Sequence, residues 1–155
     1  MKKPFIILLA GILLASCGTK STNTNTRGAS IPVVGTWKLI SGTLIENGDT
    51  MVTDYTRNVS FIKIINDTHF AFLEHDLNYG KDSTAVFVAG GGSYSLADSI
   101  YTEHLEYCND RTWEGNVFSF VVTVKNDTLI QRGVEKVEEA GVNRLNTEMY
   151  VRVNQ

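Results

Sequence analysis

Apolar and polar positions alternate in short runs along most of this chain. Beyond residue 31, apolar runs of roughly 8 to 12 residues recur between turn signals, a spacing typical of an antiparallel sandwich or barrel. Two stretches are less regular. The glycines at 90–92 predict a bulge or a break in their strand, and residues 134–141 fit either a strand or a short helix capped by glycine. The pattern predicts eight strands, at residues 34–45, 51–65, 69–76, 85–96, 100–108, 117–125, 129–137 and 145–153.

The turns between these runs predict hairpin connections. Five of the eight Asp residues are followed directly by Ser or Thr, as in Asp82-Ser83. Asp and the neighbouring Asn residues hydrogen-bond their own main chain and tolerate left-handed backbone angles, which suits tight hairpins. Short links make sequential strands antiparallel, and such a set without an edge-protecting helix closes most economically on itself. We therefore expect an all-β fold, an eight-stranded antiparallel up-and-down barrel.

The first residues predict an export signal. Lys2 and Lys3 precede an apolar stretch at 5–14 that is too short to cross a bilayer but suits the core of a secretory signal. The segment Leu14-Ala15-Ser16-Cys17 resembles the lipobox of bacterial lipoproteins, which implies that Cys17 is lipidated and becomes the mature N-terminus. Several acyl chains would anchor the protein stably. We expect a signal peptide at 1–16, a flexible tether at 17–31 without large apolar residues before Ile31, and a barrel domain at 32–155.

Charge and cysteine content restrict the possible partners. The chain has 14 Lys and Arg against 17 Asp and Glu, a net charge of -3, and therefore no basic footprint for nucleic acid. Loss of Lys2 and Lys3 makes the remainder more acidic, so membrane attachment would depend on the lipid. Of the 2 cysteines, only Cys108 remains after Cys17, which rules out an internal disulfide bond in the domain. Cys108 has no neighbouring Lys, His or helix start, which favours a structural role.

The start, the middle and the end of the domain resemble one family. Gly35-Thr36-Trp37 resembles the Gly-x-Trp signature of lipocalins and their bacterial lipocalin-like relatives, and residues 90–96, 100–107 and 148–152 resemble lipocalin-like lipoproteins of unknown function. The resemblance implies a calycin-type barrel in which Trp37 packs across the closed end and Arg152 lies over its ring as a cation–π pair. The later lipocalin signatures and the C-terminal helix are absent from the sequence, so retinoid-like ligands are not implied.

One predicted strand carries a carboxylate on an apolar face. Along 100–108, strand alternation places Tyr101, Glu103, Leu105 and Tyr107 together, and this face is predicted to be internal. An unpaired buried carboxylate is costly, so Glu103 should meet a donor from Arg152, Tyr150 or Gln131. It would then either anchor a ligand or form an internal ion pair that fills a small barrel; the sequence leaves both open.

The orientation of the last strand decides the rest of the predicted site. Simple patterning turns Thr147, Met149, Val151 and Val153 inward, whereas the family resemblance turns the opposite face inward, and we follow the resemblance. Phe70, Phe72 and the alternating apolar residues from Phe118 to Val124 are expected to be barrel wall. The predicted ligand-binding residues are Tyr101, Glu103, Gln131, Glu148, Tyr150 and Arg152.

No motif indicates metal or cofactor chemistry. His69, His75 and His104 lack diagnostic ligand spacing, and no phosphate loop or nucleophile elbow occurs. Glu103 and Glu148 are the one conceivable acid and base pair. Four of the Asp-Ser/Thr pairs also resemble a bacterial O-glycosylation acceptor motif, although turn chemistry already explains them; the acceptors would be Thr50, Ser83, Ser99 and Thr128. We expect neither metal, cofactor nor enzymatic activity.

The combined prediction is a monomeric, lipid-anchored lipoprotein of the cell envelope, on the periplasmic face of the outer membrane. Its barrel would bind a small hydrophobic or amphiphilic ligand without catalysis. The alternative is an accessory or scaffold protein of the envelope that acts through its outer surface, with a solid barrel interior and no ligand.

Overall fold

The computed structural model describes residues 31–153 of this protein. Within that range the regular secondary structure is all β-strand except for one single-turn 3-10 helix at Arg111–Trp113. The strands are β1 (Gly35–Glu46), β2 (Asp49–Asp54), β3 (Val59–Ile65), β4 (His69–Asp76), β5 (Phe87–Ala97), β6 (Ile100–Cys108), β7 (Val117–Lys125), β8 (Thr128–Val137) and β9 (Val142–Arg152).

These strands form a closed antiparallel barrel. From β3 onward each strand pairs with its successor, and β9 returns to pair with β1 from Trp37–Arg152 to Ile45–Leu145. β2 and β3 share one edge of β1, β2 beside its second half and β3 beside its first. They are therefore one interrupted strand, and the barrel has eight positions. The predicted all-β, eight-stranded up-and-down barrel, which fits a lipocalin-like fold, is confirmed.

The interruption between β2 and β3 has a local cause. The Asp54 carboxylate accepts hydrogen bonds from both the backbone N–H and the hydroxyl of Thr56, at 2.8 and 2.6 Å, and it also pairs with Arg57. Asn58 then adopts a left-handed φ of 66° before β3 begins. The prediction of one continuous strand at 51–65 was therefore wrong at 55–58, where side-chain hydrogen bonds replace the ladder.

Residues 134–141, for which the sequence allowed a strand or a short helix, belong to the C-terminal hairpin. β8 continues to Val137, which pairs with Val142 of β9, and the turn between them closes through Gly141 at a φ of 66°. The helix alternative for 134–141 is therefore wrong. At the β1–β2, β5–β6 and β7–β8 connections the turn interpretation is confirmed, since Asn47, Asp98, Asn126 and Asp127 all have positive φ angles.

Two bulges change which side chains point inward. In β1 the register shifts between Leu39 and Ser41, and in β6 one extra residue, Glu106, lies between the partners of Gly91 and Gly92. A bulge reverses the inward and outward alternation beyond it. Tyr107 is consequently 67% exposed, and its predicted internal position was wrong. The glycine run allows this, because a Cβ on Gly92 would overlap the backbone carbonyl of His104.

One end of the barrel is closed by a clamp around Trp37. This side chain is fully buried and its Nε1 donates to the Val33 carbonyl at 2.7 Å. The Arg152 guanidinium lies 4.0 Å from the ring centre and donates to the carbonyls of Pro32 and Val34. Gly35, at a φ of 146°, lies against the same guanidinium, where a Cβ would overlap Nη1. The clamp is the arrangement that the family resemblance implied for these residues.

The predicted signal peptide, Cys17 and the tether up to residue 30 lie outside the described residues. Within 31–153, no helix is both long enough and apolar enough to span a bilayer.

Candidate ligand-binding cavity

The end of the barrel opposite the Trp37 clamp contains a cavity of about 490 Å³. Its outer lining comes from the end of β1 at Leu44, the start of β5 at Val88, the β6–β7 connection at Trp113, and the start of β9 at Arg144. These positions mark the mouth. Ligand sites for small molecules usually measure about 300–1,000 Å³, so the space suits one such ligand.

An aromatic wall covers one side of this cavity. Phe61 lies at its centre, 5.8 Å from Tyr55, 6.1 Å from Phe72 and 6.5 Å from Tyr150 between ring centroids. Phe61 and Lys63 are on the inward side of β3 because inward residues alternate along the strand. Phe118 and Phe120 on β7 complete the apolar lining. The wall offers both apolar surface and ring faces.

The floor of the cavity is a buried ion pair. Lys63 is 2% exposed and Glu103 6%, and the Lys63 ammonium contacts the Glu103 carboxylate and donates to Gln131 Oε1 at 2.9 Å. Removing two charges from water is expensive, and only their mutual contact and added hydrogen bonds offset it. Glu103 therefore forms an internal ion pair with Lys63, which is one of the two alternatives that the sequence allowed for this carboxylate.

Three aromatic rings surround the Lys63 ammonium. Nζ lies 5.4 Å from the ring centres of Phe70 and Tyr101 and 5.8 Å from that of Tyr150. Such rings attract a cation through their negative faces. Burial, together with the charge of Glu103, raises the pKa of the Tyr101 hydroxyl, so the tyrosine stays neutral beside the ion pair.

Glu148 lies one layer nearer the mouth and has no cationic partner in direct contact. Its Oε2 accepts a hydrogen bond from the Tyr150 hydroxyl at 2.8 Å, and its Oε1 accepts none from any residue within 31–153. Burial raises the pKa of Glu148, and the Lys63 charge opposes this shift. The same burial raises the pKa of Tyr150 well above its usual value.

The mouth holds a second, satisfied polar cluster. Glu135 accepts hydrogen bonds from Arg144 Nε at 2.7 Å and from Asn146 Nδ2 at 2.8 Å. The Arg144 guanidinium also lies 5.4 Å from the centre of the Trp113 ring. Arg144 is thus held by Glu135 and Trp113. Of the cavity carboxylates, Glu148 and Asp110 therefore have no contacting cation in the described chain, and Asp110 instead accepts hydrogen bonds from the backbone N–H and the hydroxyl of Thr112.

Cys108 lies at the same end because of the β6 bulge. The reversed alternation turns it inward, where it lines the cavity and is half-buried. Burial raises the pKa of its thiol, which agrees with the sequence-based expectation of a thiol that is not activated.

Four of the predicted ligand-binding residues line this cavity, namely Glu103, Gln131, Glu148 and Tyr150. The other two do not line it. Tyr101 is 1% exposed beside the ion pair, on the side of the floor away from the mouth. Arg152 does share the inward face of β9, but it is held at the closed end by Trp37 and the carbonyls of Pro32 and Val34.

Lys63, Tyr55 and Arg144 also line the cavity but are absent from the predicted site. Lys63 carried a usable signal, because it alternates with Phe61 and Ile65 and so belongs to an apolar face where a lone charge needs a partner. Lys63 is the partner of Glu103, in place of the predicted donors Arg152 and Tyr150. Tyr55 gave no such signal, since it reaches the cavity only through the interruption between β2 and β3.

The described part of the chain contains no group of three His, Cys, Asp or Glu side chains placed to hold a metal ion. His69 and His75 instead contact Thr68 Oγ1 and the Asp76 carbonyl.

The fold and cavity define a closed lipocalin-like barrel with an internal chamber. No protein family matches this chain, and no curated protein matches it significantly.

Proposed function

We propose that this protein binds a small, largely apolar or amphiphilic ligand inside its barrel and performs no catalysis on it. The observation that supports this is the cavity of about 490 Å³ between the aromatic wall and the Lys63–Glu103 floor. A solidly packed barrel would fill this space with side chains, as small barrels do. Apolar burial would supply most of the affinity, and the few polar groups would orient the ligand.

Binding can be tested by native mass spectrometry and thermal shift against amphiphiles, with a variant that fills the cavity. Leu44→Trp places a large ring in the chamber because Leu44 lines it, whereas Thr43→Trp, one residue earlier, places the same ring on the outer wall. We expect ligands to raise Tm for the wild type and for the Thr43 variant but not for the Leu44 variant. Equal binding by all three proteins would show that the chamber is not the site.

We further propose that the protein is a monomeric lipoprotein of the cell envelope, anchored to the periplasmic face of the outer membrane through Cys17. The sequence at 1–17 supports this part of the proposal. Cys17→Ser should move the protein from the membrane fraction to the soluble fraction, and mass spectrometry of the wild type should find acyl chains on the N-terminal peptide. Retention of the Cys17 variant in membranes would contradict the anchor.

A scaffold function is the second candidate, favoured by apolar side chains on the outer wall. Ile130 faces Met149 across β8 and β9, and Val151 follows on the same side; the three are 36–40% exposed. Crosslinking in cells that captures a partner through Ile130, with no ligand in the purified protein, would favour this function.

A further inference from the structure

The interior of the barrel contains one complete ammonium site, formed by the chain itself. Lys63 Nζ is held by a carboxylate, an amide oxygen and three aromatic rings at 5.4–5.8 Å. This arrangement combines an ion pair with cation–π contacts, which together offset the loss of water around a positive charge.

The layer nearer the mouth again combines a carboxylate with aromatic rings, but no Lys or Arg of the described chain contacts this carboxylate. Glu148 supplies the carboxylate, with Oε1 free of hydrogen bonds from the described residues. The Tyr150 hydroxyl donates a hydrogen bond to this carboxylate, and the Tyr150 ring packs against that of Phe61. Phe61 in turn packs against Tyr55 and Phe72. All five side chains line the cavity. The aromatic rings and the carboxylate therefore border the same cavity.

The balance of charge favours a positive occupant. The cavity is lined by the acidic residues Glu103, Asp110, Glu135 and Glu148 and by two bases, Lys63 and Arg144. Both bases are held by carboxylates other than Glu148, because Lys63 contacts Glu103 and Arg144 contacts Glu135. An anionic headgroup would meet uncompensated negative charge, and a neutral one would leave Glu148 without a counter-ion.

We propose that the cavity selects amphiphiles with a cationic nitrogen, an alkylamine or quaternary ammonium group, and that Glu148 is its counter-ion beside the ring of Phe61. The inference rests on the proposed ligand-binding function and specifies the chemistry of the ligand. The apolar tail would lie along Phe118, Phe120 and Leu105, which line the remaining wall.

Three probes with one chain length separate headgroup charge from apolar burial. Decyltrimethylammonium, decanol and decanoate are titrated below their micelle concentrations, with binding followed by tryptophan fluorescence and calorimetry. We expect the ammonium to bind at least about tenfold tighter than decanol, because an opposite charge in a partly buried site contributes more than the matching neutral group. Decanoate should bind most weakly.

Three variants locate the effect. Glu148→Gln keeps an acceptor for Tyr150 and should abolish the preference for ammonium over decanol. Glu139→Gln removes the same charge from the exposed β8–β9 turn near the mouth and should leave the preference intact. Phe61→Leu, which keeps the lining apolar without a ring face, should lower ammonium affinity by roughly two- to fivefold.

The outcomes distinguish the inference from the function on which it depends. If decanol or decanoate binds as tightly as the ammonium, or if Glu148→Gln keeps the preference, the cationic specificity is rejected and the ligand-binding function stands. If no probe binds to the wild type, both are rejected. Thermal unfolding of each variant establishes that the barrel is folded in the assay.

Discussion

The buried pair of Lys63 and Glu103 leads to a large and specific effect on stability. In Lys63→Met the Glu103 carboxylate, whose side chain is 7% exposed, loses its counter-ion. Removal of one partner of a buried pair costs about 3–5 kcal/mol, and Gln131 Oε1 also loses its donor, at about 1 kcal/mol. Glu103→Leu leaves the ammonium with Gln131 alone as an oxygen partner. Since domains are stable by only about 5–15 kcal/mol, each single variant should lose a large share of its stability.

The double variant should behave differently from the sum of the two. Replacing both charges with apolar residues of similar volume removes the cost of burying charge, so Lys63→Met with Glu103→Leu should be about as stable as the wild type or more stable. The double-mutant cycle should therefore give a coupling energy of about 3 kcal/mol or more. Lys136 and Glu138 form an exposed pair, 58% and 82% accessible, and the same cycle there should give less than about 1 kcal/mol.

Urea unfolding followed by fluorescence measures these energies. The protein has 2 tryptophans, Trp37 at the closed end and Trp113 at the mouth, so coincident transitions test whether the barrel unfolds in one step. The slope of free energy against urea should not change among the variants. Single-variant losses below about 1 kcal/mol that simply add in the double variant would refute the reasoning, because the pair would then be screened by water.

Three further predictions concern single side chains. Burial raises the pKa of Glu148 above its ordinary 4.5, so the folded state holds this proton more tightly than the unfolded state does. Stability therefore falls as pH rises from 4.5 to the higher folded pKa. Glu148→Gln should raise Tm at neutral pH but not in acid, and an equal gain at all pH values would contradict this reasoning. Arg152→Ala should lower the free energy of unfolding, measured with urea, by about 2–4 kcal/mol, because the cation–π contact with Trp37 and three charged hydrogen bonds are lost. A loss below about 1 kcal/mol would show that the clamp contributes little to stability. The backbone N–H groups of Gly80, Val86 and Asn78 lower the pKa of Asp76. The carboxylate of Asp76 therefore contributes to folding stability above pH 3.8, and this contribution is lost as pH falls through its lower folded pKa. Asp76→Asn should speed amide hydrogen exchange at Gly80 at neutral pH, and unchanged exchange would exclude this role.

The strand pattern was predictable because it depends on local chemistry. The bounds of 69–76, 100–108 and 117–125 are those of β4, β6 and β7, since Asn and Asp turns end these strands sharply or adjoin them. Closure followed from the number of hairpins and the absence of covering helices in the pattern. The interruption at 55–58 was not predictable from alternation, because it depends on side-chain hydrogen bonds of Asp54 to Thr56.

The candidate site was predictable only up to the bulges. Strict alternation placed Glu103 inside, and this is where the structure has it, but it also placed Tyr107 there, which is exposed. The extra residue Glu106 reverses the alternation at Tyr107, and no local motif indicates this bulge apart from the glycines on the facing strand. The partner of Glu103 depends on which strands face each other across the barrel, a long-range fact that spacing within a strand does not contain.

The position of the clamp has a consequence for engineering. Trp37 pairs with Arg152, so both ends of the barrel chain leave from the face opposite the ligand entrance. A fusion partner or an immobilising surface attached at either end would leave the chamber accessible. A short linker joining the two ends would allow new termini at the β1–β2 turn, which is tight and solvent-exposed. Such a circular permutant would carry its termini beside the entrance, where a reporter domain could sense whether the chamber is occupied.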